Sequence, residues 1–460
     1  MVFINLESIL YGSIFIYALM LIGGFMLLAL MSSIELKKYL KKNKYVTYKE
    51  LLVSAHVPSI TIIAPVLNAQ NTIVNQVRAL LALQYNNFDI VVVNDGSTDN
   101  TFGSLQKFFQ LEAVDYAVWE QIKSKEVFAY YKSKNPAFSK LTVIDKAHGG
   151  KADALNAGIN TSEKDFILCL ERDCFFHKNL LLKLIKPFLE EEKQVIAVGA
   201  TVQVANSCEK VNGNIVKINF PKKVWPGFLA IEYFKSFLVE RLSWSRLNGI
   251  HEVSGGVNLF NKDILIKSGG YNSKTLKAGF ELVVRMCRYM HDNDLEYKLV
   301  YLPDTLCWVE SPCDLSSLGQ ERKDFAAGNF QTFKLNKDLF FNPKYGILGL
   351  LNFPFWFLKE WVTPFFKFFT VLALLTFTLL GKLNWEFTGI LLMMLYLFAV
   401  MFSMISLIFK EKSYQSSPYK EIIRIVFLIF LEPLIYHPLI TYYKITAYLS
   451  RKSWSLSPEK

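Results

Sequence analysis

Glycine, proline and cysteine are all scarce in this chain of 460 residues, which contains 23 glycines, 15 prolines and six cysteines. The low glycine and proline contents exclude a collagen-like or low-complexity protein, and the few, scattered cysteines exclude a small disulfide scaffold. All six cysteines fall between Cys169 and Cys313, without a close CxxC pair. We therefore expect buried free thiols rather than disulfides or a zinc site.

Charged residues are also few, at 20% of the chain, while hydrophobic residues reach 52% and the mean hydropathy is +0.24. Soluble domains rarely combine a positive mean hydropathy with so little charge, so the composition indicates one soluble domain joined to a few membrane helices. The 51 basic residues exceed the 40 acidic residues and leave a formal charge of +11. A positive charge of this size is compatible with binding to nucleic acid, to an acidic membrane surface or to a polyphosphate substrate. The distribution of the basic residues along the chain distinguishes these three partners.

The first apolar region is the stretch 8–34, which has no charged residue between Glu7 and Glu35. About 20 apolar residues cross a bilayer, so this stretch is long enough. Lysines follow it between positions 37 and 44, whereas a signal peptide carries basic residues before its apolar core. We predict an uncleaved transmembrane anchor over residues 1–45, with its basic flank in the cytoplasm against an anionic leaflet.

The second apolar region is residues 345–460, which we predict to hold an interfacial helix and the C-terminal transmembrane helices. Residues 361–380 and 387–409 each predict a transmembrane helix. Residues 345–360 mix apolar with polar side chains and predict an amphipathic helix lying at the membrane surface.

A third apolar segment, residues 422–443, contains one glutamate and two prolines. It predicts a broken, re-entrant or interfacial helix rather than a clean span. We expect the link 381–386 on the outer side and the lysine-containing link 410–421 inside. A complete last span would place Lys444 and Lys452 outside, against the basic-inside tendency, so the side of the C-terminus stays open.

The polar stretch between these regions, residues 57–335, alternates strands with helices. Four apolar runs predict buried parallel strands, at 60–67, 88–95, 141–146 and 166–173. Polar residues follow or end each run. The pattern predicts an α/β fold with an open sheet, and ligands of such folds bind at the carboxyl ends of the strands.

Two strand ends predict contacts with a nucleotide. Asp95 could accept hydrogen bonds from a base or a ribose. Gly149 and Gly150 would let backbone amides approach a diphosphate, and Lys151 adds a positive charge. A solvated aspartate and an ordinary glycine turn are the commoner alternatives for each signal alone, and only their order within one α/β domain favours the site.

A third strand end predicts a metal site. Glu171 and Asp173 lie two positions apart, which places both carboxylates on one side of an extended chain. Hard divalent cations prefer oxygen ligands, so this pair could hold one ion against phosphates.

Several longer segments share the order of motifs of one enzyme family. They are APVLNAQNTI (64–73), VVVNDGSTDNT (91–101), VIDKAHGGKADALNAGIN (143–160), LCLERDC (168–174), VSGGVNLFNKDILIKSGGYN (253–272), ELVVRM (281–286) and CWVESPCDLSSLGQERKDF (307–325). In these segments, and over nearly its whole length, the chain resembles the family 2 glycosyltransferases. The resemblance is to membrane-integrated members such as cellulose, hyaluronan and poly-N-acetylglucosamine synthases.

The resemblance implies a GT-A domain at 57–335 on the cytoplasmic side of a bacterial plasma membrane, a UDP-linked sugar donor, and Mg²⁺ or Mn²⁺. It implies inverting transfer to a growing saccharide or a lipid-linked acceptor. The donor residues it implies are Pro65, Asn68, Asp95, Gly149, Gly150, Lys151, Asp173 and Arg322. The acceptor residues it implies are Gly255, Gly256, Trp308 and Glu310, with Asp173 and Glu171 as the metal ligands. Core packing is an equal alternative for Trp308.

The chain departs from the family where the acceptor is activated. Members with an ELVVR segment carry Glu-Asp shortly before it, and that aspartate is the general base; here Ala278 and Gly279 occupy these positions. Removing a general base typically costs about 10²–10⁴-fold in rate. Glu281 is the nearest substitute, although it lies two residues away and on a helix faces another side.

Two further motifs are altered. At the position of the family's DxD motif, this chain has Glu171-Arg172-Asp173. At the position of the QxxRW motif it has ERKDF (321–325), in which Arg322 is the remaining candidate for a diphosphate contact. Losing a cation that neutralises the leaving diphosphate weakens electrostatic stabilisation.

Three explanations follow from these departures. Glu281 serves as base, or the chain transfers sugar with a base elsewhere, or it is a catalytically impaired subunit. Such a subunit would bind donor or scaffold the partner proteins of a polysaccharide synthesis or export machine. Nucleic acid is excluded as a partner because the densest lysines adjoin a membrane span.

Overall fold

The computed structural model describes residues 6–44, 57–170, 174–211, 213–249, 256–413 and 418–450. The predicted site residues Glu171, Asp173 and Gly255 lie outside these ranges.

The centre of the soluble region is a ten-stranded mixed sheet with the order β3-β4-β5-β2-β1-β6-β11-β8-β12-β7. The described strands are β1 (Ile60–Val66), β2 (Phe88–Asp95), β3 (Leu111–Val114), β4 (Val127–Ser133), β5 (Leu141–Lys146), β6 (Phe166–Leu170), β7 (Cys174–Phe176), β8 (Gln194–Val204), β9 (Glu209–Val211), β10 (Asn214–Lys217), β11 (Val257–Asn261) and β12 (Tyr297–Val309). Strands β1, β2, β5 and β6 are parallel neighbours, whereas β11 runs antiparallel between β6 and β8. The α/β class and the four predicted parallel strands are confirmed.

Helices cover the sheet and continue into the apolar regions. The longer ones are α1 (Leu6–Asn43), α2 (Ile73–Leu81), α3 (Thr101–Phe109), α4 (Lys151–Thr161), α5 (Leu180–Glu190), α6 (residues 224–246), α7 (Lys262–Lys267), α8 (Ala278–Asp292), α9 (Leu315–Leu335), α10 (Leu348–Leu379), α11 (Trp385–Ser413) and α12 (Tyr419–Leu449). Helix α6 is continuous but π-helical over Phe234–Arg241. The central strands are buried because their side chains are apolar on both faces, as in β1, where Ile60, Ile62 and Ile63 are fully buried.

Four helices, α1, α10, α11 and α12, are long and apolar enough to cross a membrane. Helix α1 reaches from the far end of α11 to the soluble domain. Its Tyr11 hydroxyl lies 3.0 Å from the Thr388 hydroxyl at the start of α11, and its Tyr39 hydroxyl donates to Asp304 of the soluble domain at 2.5 Å. The expected membrane helices are therefore present as helices that could span a bilayer.

Helix α10 joins the predicted interfacial segment 345–360 and the predicted span 361–380 into one helix. Its first half packs on the soluble domain, where Asn352 donates to the Gly249 carbonyl and Lys359 pairs with Glu240. The second half is largely exposed and apolar, as expected for a lipid-facing segment.

The break predicted in α12 does not occur, since the helix is continuous with Pro433 and Pro438 inside it. An internal proline removes a helical hydrogen bond. Contacts on both sides of Pro433 hold the helix together: Glu432 pairs with Lys235 at 2.5 Å, and the Tyr436 hydroxyl donates to Glu232 at 2.5 Å. Tertiary packing thus overrides the local preference of proline.

Candidate functional site

One large cavity of about 1290 Å³ lies at the carboxyl ends of the central strands. Its walls are the start of α4, the end of β6, the end of β12, helix α6, and the first turns of α8 and α9. Tyr443 of α12 closes the side that faces the apolar helices. The cavity therefore connects the strand ends, where ligands of α/β sheets bind, with the membrane helices.

Asp95, at the end of β2, binds the backbone of the glycine turn (Gly149 and Gly150) that leads into α4. This aspartate is 3% exposed, and its two carboxylate oxygens accept the Gly149 amide at 2.9 Å and the Gly150 amide at 2.8 Å. Asp95 itself does not line the cavity, and its carboxylate positions the turn. Both glycines line the cavity, with their amides bonded to Asp95.

A lysine that the sequence reasoning missed completes this arrangement. Lys146, the last residue of β5, is fully buried and lies 2.9 Å from Asp95 and 2.6 Å from Asp153 of α4. One ammonium thus compensates two carboxylates that would otherwise be buried together. The signal available in the sequence was a lysine at the end of an apolar strand, just before the glycine turn.

The first turn of α4 forms the wall at this end of the cavity. Gly150 caps the helix with φ +85°, a left-handed conformation that favours glycine, and Lys151 and Ala152 line the cavity. The first amides of a helix have no helical partner, and the helix dipole favours anions there. Lys151 therefore lies where the sequence predicts a diphosphate contact.

Pro65 and Asn68 do not line the large cavity. Asn68 connects two loops at the strand ends. Its side-chain oxygen accepts a hydrogen bond from the Thr98 backbone amide at 2.9 Å, and its backbone amide donates to the Ser97 hydroxyl at 3.0 Å. Pro65 lies in β1 beside a separate crevice of about 20 Å³. These two residues support the strand ends in this structure.

The predicted acceptor residues separate into two groups. Glu310 lines the cavity at the end of β12 and pairs with Lys210. Trp308 is 3% exposed within β12, between β7 and β8, and does not line the cavity, which agrees with core packing. Gly256 is buried, and a Cβ there would lie 2.9 Å from the Cys307 sulfur, so it allows close packing of strands.

Glu281 lies behind the cavity wall. It is 4% exposed, and both carboxylate oxygens pair with Arg285, from Nε at 2.9 Å and from Nη2 at 2.6 Å. Its neighbours Ala278, Gly279 and Phe280 line the cavity, but Glu281 does not. In this structure the carboxylate therefore points to Arg285 and not into the cavity.

Arg322 lines the cavity where α9, α6 and α12 meet. It is 8% exposed and donates to Glu232 at 2.9 Å, while Nε and Nη2 have no hydrogen-bond partner among the residues that the structure describes. Burial acts against the charged form, but the Glu232 carboxylate raises the pKa of Arg322 above its usual value. The guanidinium therefore stays charged beside Glu232 at the cavity wall.

The predicted metal ligands Glu171 and Asp173 follow β6, whose last residues Cys169 and Leu170 line the cavity. Within the ranges that the structure describes, no group of three or more His, Cys, Asp or Glu residues could hold a metal ion. The chain thus leaves β6 at the cavity wall, directly before these two residues.

A comparison with known protein families matches the first part of the soluble domain. Residues 61–265 match the family model described as Glycosyl transferase family 2. The poly-beta-1,6-N-acetyl-D-glucosamine synthases of Staphylococcus aureus (strain MSSA476) and Staphylococcus epidermidis are each 24% identical to the chain, over 285 and 283 residues. These alignments cover 62% and 61% of the chain and span 57% of each relative's length.

Among solved structures, a mannosyltransferase from Pyrobaculum calidifontis in complex with GDP-Man and Mn²⁺ has a TM-score of 0.55 at 16% identity. The match covers 92% of this chain and 97% of that one. The similarity extends over the sheet and the apolar helices, and it confirms the expected fold class of a GT-A domain combined with membrane-type helices.

Proposed function

We propose, from the premise that residues 61–265 form a family 2 glycosyltransferase domain, that the protein is a membrane-bound glycosyltransferase. It transfers a sugar from a nucleotide-sugar donor, proposed to be UDP-linked, to a growing saccharide or a lipid-linked acceptor. The observation that carries this proposal is the single cavity that joins the start of α4 to Arg322 and α12. A donor bound at one end and an acceptor arriving from the membrane side would meet in it.

The donor diphosphate is proposed to bind at the first turn of α4 and at Lys151. The α4 dipole and the lysine charge both favour a diphosphate there. Asp95 and Lys146 hold the turn that aims this helix. Glu171 and Asp173 are proposed to hold Mg²⁺ or Mn²⁺, and such an ion would neutralise charge on the leaving diphosphate.

The acceptor is proposed to lie between Glu310 and the first turns of α8 and α9, which share the cavity. Transfer would invert the anomeric centre, because one direct displacement by an acceptor hydroxyl suffices. The relatives that synthesise poly-N-acetylglucosamine support a saccharide acceptor, and the GDP-Man complex of the structural neighbour supports a nucleotide-sugar donor.

A catalytically impaired, donor-binding or scaffolding subunit is the second candidate function. Two observations favour it: α8 begins with Ala278 and Gly279 at the cavity wall, and Asp324 stands in α9 where the family carries an arginine. Such a subunit would still bind the donor at α4, so binding and turnover have to be measured separately.

The test uses the purified full chain in nanodiscs with Mn²⁺ and a panel of UDP-sugars together with GDP-mannose. Release of nucleoside diphosphate together with sugar transfer supports the enzyme, and binding without release supports the impaired subunit. Lys151→Ala should weaken donor binding about 10- to 150-fold, since a hydrogen bond to a charged group contributes about 1.5–3 kcal/mol. Lys164→Ala, on the surface beside Asp89, is the matched control.

A further inference from the structure

The first turn of α8 faces the cavity without a carboxylate. Ala278 and Gly279 line the cavity, and a Cβ built on Gly279 would have no atom within 4 Å. Glu281 in the same turn is engaged with Arg285. The space for an acidic side chain therefore exists at Gly279, but α8 does not fill it.

Helix α9 packs against this same turn of α8. The Lys277 ammonium lies 3.2 Å from the centroid of the Phe325 ring, and a Cβ on Gly328 would lie 2.7 Å from the Lys277 Cβ. Asp324 directly precedes Phe325, and both line the cavity together with Gly279. A carboxylate is thus present on the helix next to the one that lacks it.

The Asp324 carboxylate is half-buried and oriented. The Gln320 side-chain amide, one turn earlier on α9, donates to both of its oxygens at 3.1 Å. Hydrogen bonds of this kind hold a side chain in one position, which a general base needs in order to meet the acceptor hydroxyl.

The other acidic residues that line the cavity are placed differently. Glu232 accepts hydrogen bonds from Arg322 at 2.9 Å and from the Tyr436 hydroxyl at 2.5 Å. Glu310 is paired with Lys210. Glu321 lies three residues before Asp324 on α9 and is exposed, so it is in contact with bulk water.

We propose that Asp324 is the general base of the transfer, taking the role that the family gives to the position of Gly279. The inference rests on the proposed function. The acceptor oxygen bonds to the anomeric carbon, the bond from that carbon to the phosphate oxygen breaks, and its electron pair leaves with the nucleoside diphosphate. The hydroxyl proton moves to an Asp324 oxygen and later to water.

The test measures donor turnover and donor affinity of the full chain in nanodiscs of bacterial polar lipids. The probes are UDP-sugars and GDP-mannose with Mn²⁺, with short β-linked glucosamine oligomers as acceptors. Asp324→Asn should lower kcat about 10²–10⁴-fold with an unchanged donor KM. Asp314→Asn is the matched control, because Asp314 caps α9 through the Ser317 amide at 2.8 Å and lies outside the cavity.

A second variant tests the placement directly. Adding Gly279→Asp to the Asp324→Asn chain should recover a measurable part of kcat, because the new carboxylate enters open space on the same cavity. Equal kcat of Asp324→Asn and the native chain would overturn the Asp324 assignment while leaving the glycosyltransferase proposal intact. A native chain that binds donor but never releases nucleoside diphosphate would instead overturn the proposed transfer itself, and the base with it.

Discussion

At the scale of single residues, Lys146 shows how a buried charge organises the glycine turn at the start of α4. Its ammonium lies between Asp95 and Asp153 and is fully buried, whereas the glycine turn in front of it is open to the cavity. Without the lysine, two buried carboxylates would face each other across a few ångströms. The position of the turn, and with it the aim of α4, therefore depends on this one side chain.

Lys146→Met should destabilise the domain by about 3–5 kcal/mol, because removing one partner leaves uncompensated buried charge. The measurement is the thermal unfolding midpoint of the purified protein in detergent, read together with donor affinity, which should fall as the turn loosens. Lys164→Met is the control, since its pair with Asp89 at 3.3 Å is a surface pair that contributes about 0–1 kcal/mol. Equal midpoints for the two variants would refute the role of Lys146.

The cysteines give a second prediction at this scale. All six are free thiols, four of them buried, which agrees with the expectation from their spacing. Burial raises the pKa of Cys169 and of Cys287 to about 12, so the reactive thiolate forms only as the pH approaches that value. Iodoacetamide at pH 8 should leave both unmodified in the folded protein and should modify the half-buried Cys313, as mass spectrometry can show.

Denatured protein is the control for this labelling and should react at all six positions. Rapid modification of Cys287 in the folded chain would show that α8 opens under native conditions, against its close packing here.

At the scale of elements, the contact between α9 and α12 joins the soluble domain to the apolar helices. Gly319 of α9 lies under Tyr443 of α12, where a Cβ would approach the ring to 2.8 Å. The Tyr443 hydroxyl also donates to the Leu315 carbonyl at 3.1 Å. A glycine is required there for close approach of two helices, and the same tyrosine forms part of the cavity wall.

Gly319→Ala should lower stability by about 1–3 kcal/mol through overpacking, although alanine is normally the better helix former by about 1 kcal/mol. Gly389→Ala in α11 is the matched control, because its Cβ would meet no atom within 4 Å and should leave the unfolding midpoint equal or higher. Thermal unfolding in detergent separates the two. A Gly319→Ala chain that melts above the native protein would mean that Tyr443 moves aside without cost.

At the scale of the whole molecule, α12 contacts the soluble domain over much of its length. The contacts are Glu421 with the Phe220 amide at 3.3 Å, Tyr436 with Glu232 at 2.5 Å, and Tyr443 with the Leu315 carbonyl at 3.1 Å. Near its end, the Tyr448 hydroxyl donates to the Glu360 carbonyl in the domain-facing half of α10 at 2.7 Å. A helix that leaves the domain to cross a bilayer would make such contacts only at one end.

We therefore predict that α12 lies beneath the domain and that the C-terminus is on the same side as the domain, as its basic residues favour. Green fluorescent protein fused after Lys460 should fluoresce in a bacterial host, and alkaline phosphatase at that position should be inactive. Phosphatase inserted in the link 381–386, which adjoins Tyr11 of α1, is the positive control. An active phosphatase at the C-terminus would show that α12 crosses the membrane.

The sequence by itself determined the alternation of strands and helices, the apolar helices at both ends and the order of the glycosyltransferase motifs. These features depend on local periodicity and on runs of apolar residues, which any segment displays without its neighbours. It also located Lys151, Glu310 and Arg322, which line the cavity.

Only the tertiary structure decided which polar groups face that cavity. It turned Asp95 inward to the glycine turn and Lys146, paired Glu281 with Arg285, and set Asp324 on the cavity wall beside the first turn of α8. Most of these partners lie tens of residues apart in the chain. Glu281 and Arg285 are close in sequence, but only the packing of α8 against the rest of the domain shows that their pair lies behind the cavity wall. Packing between elements, rather than any local pattern, therefore assigns each carboxylate its role.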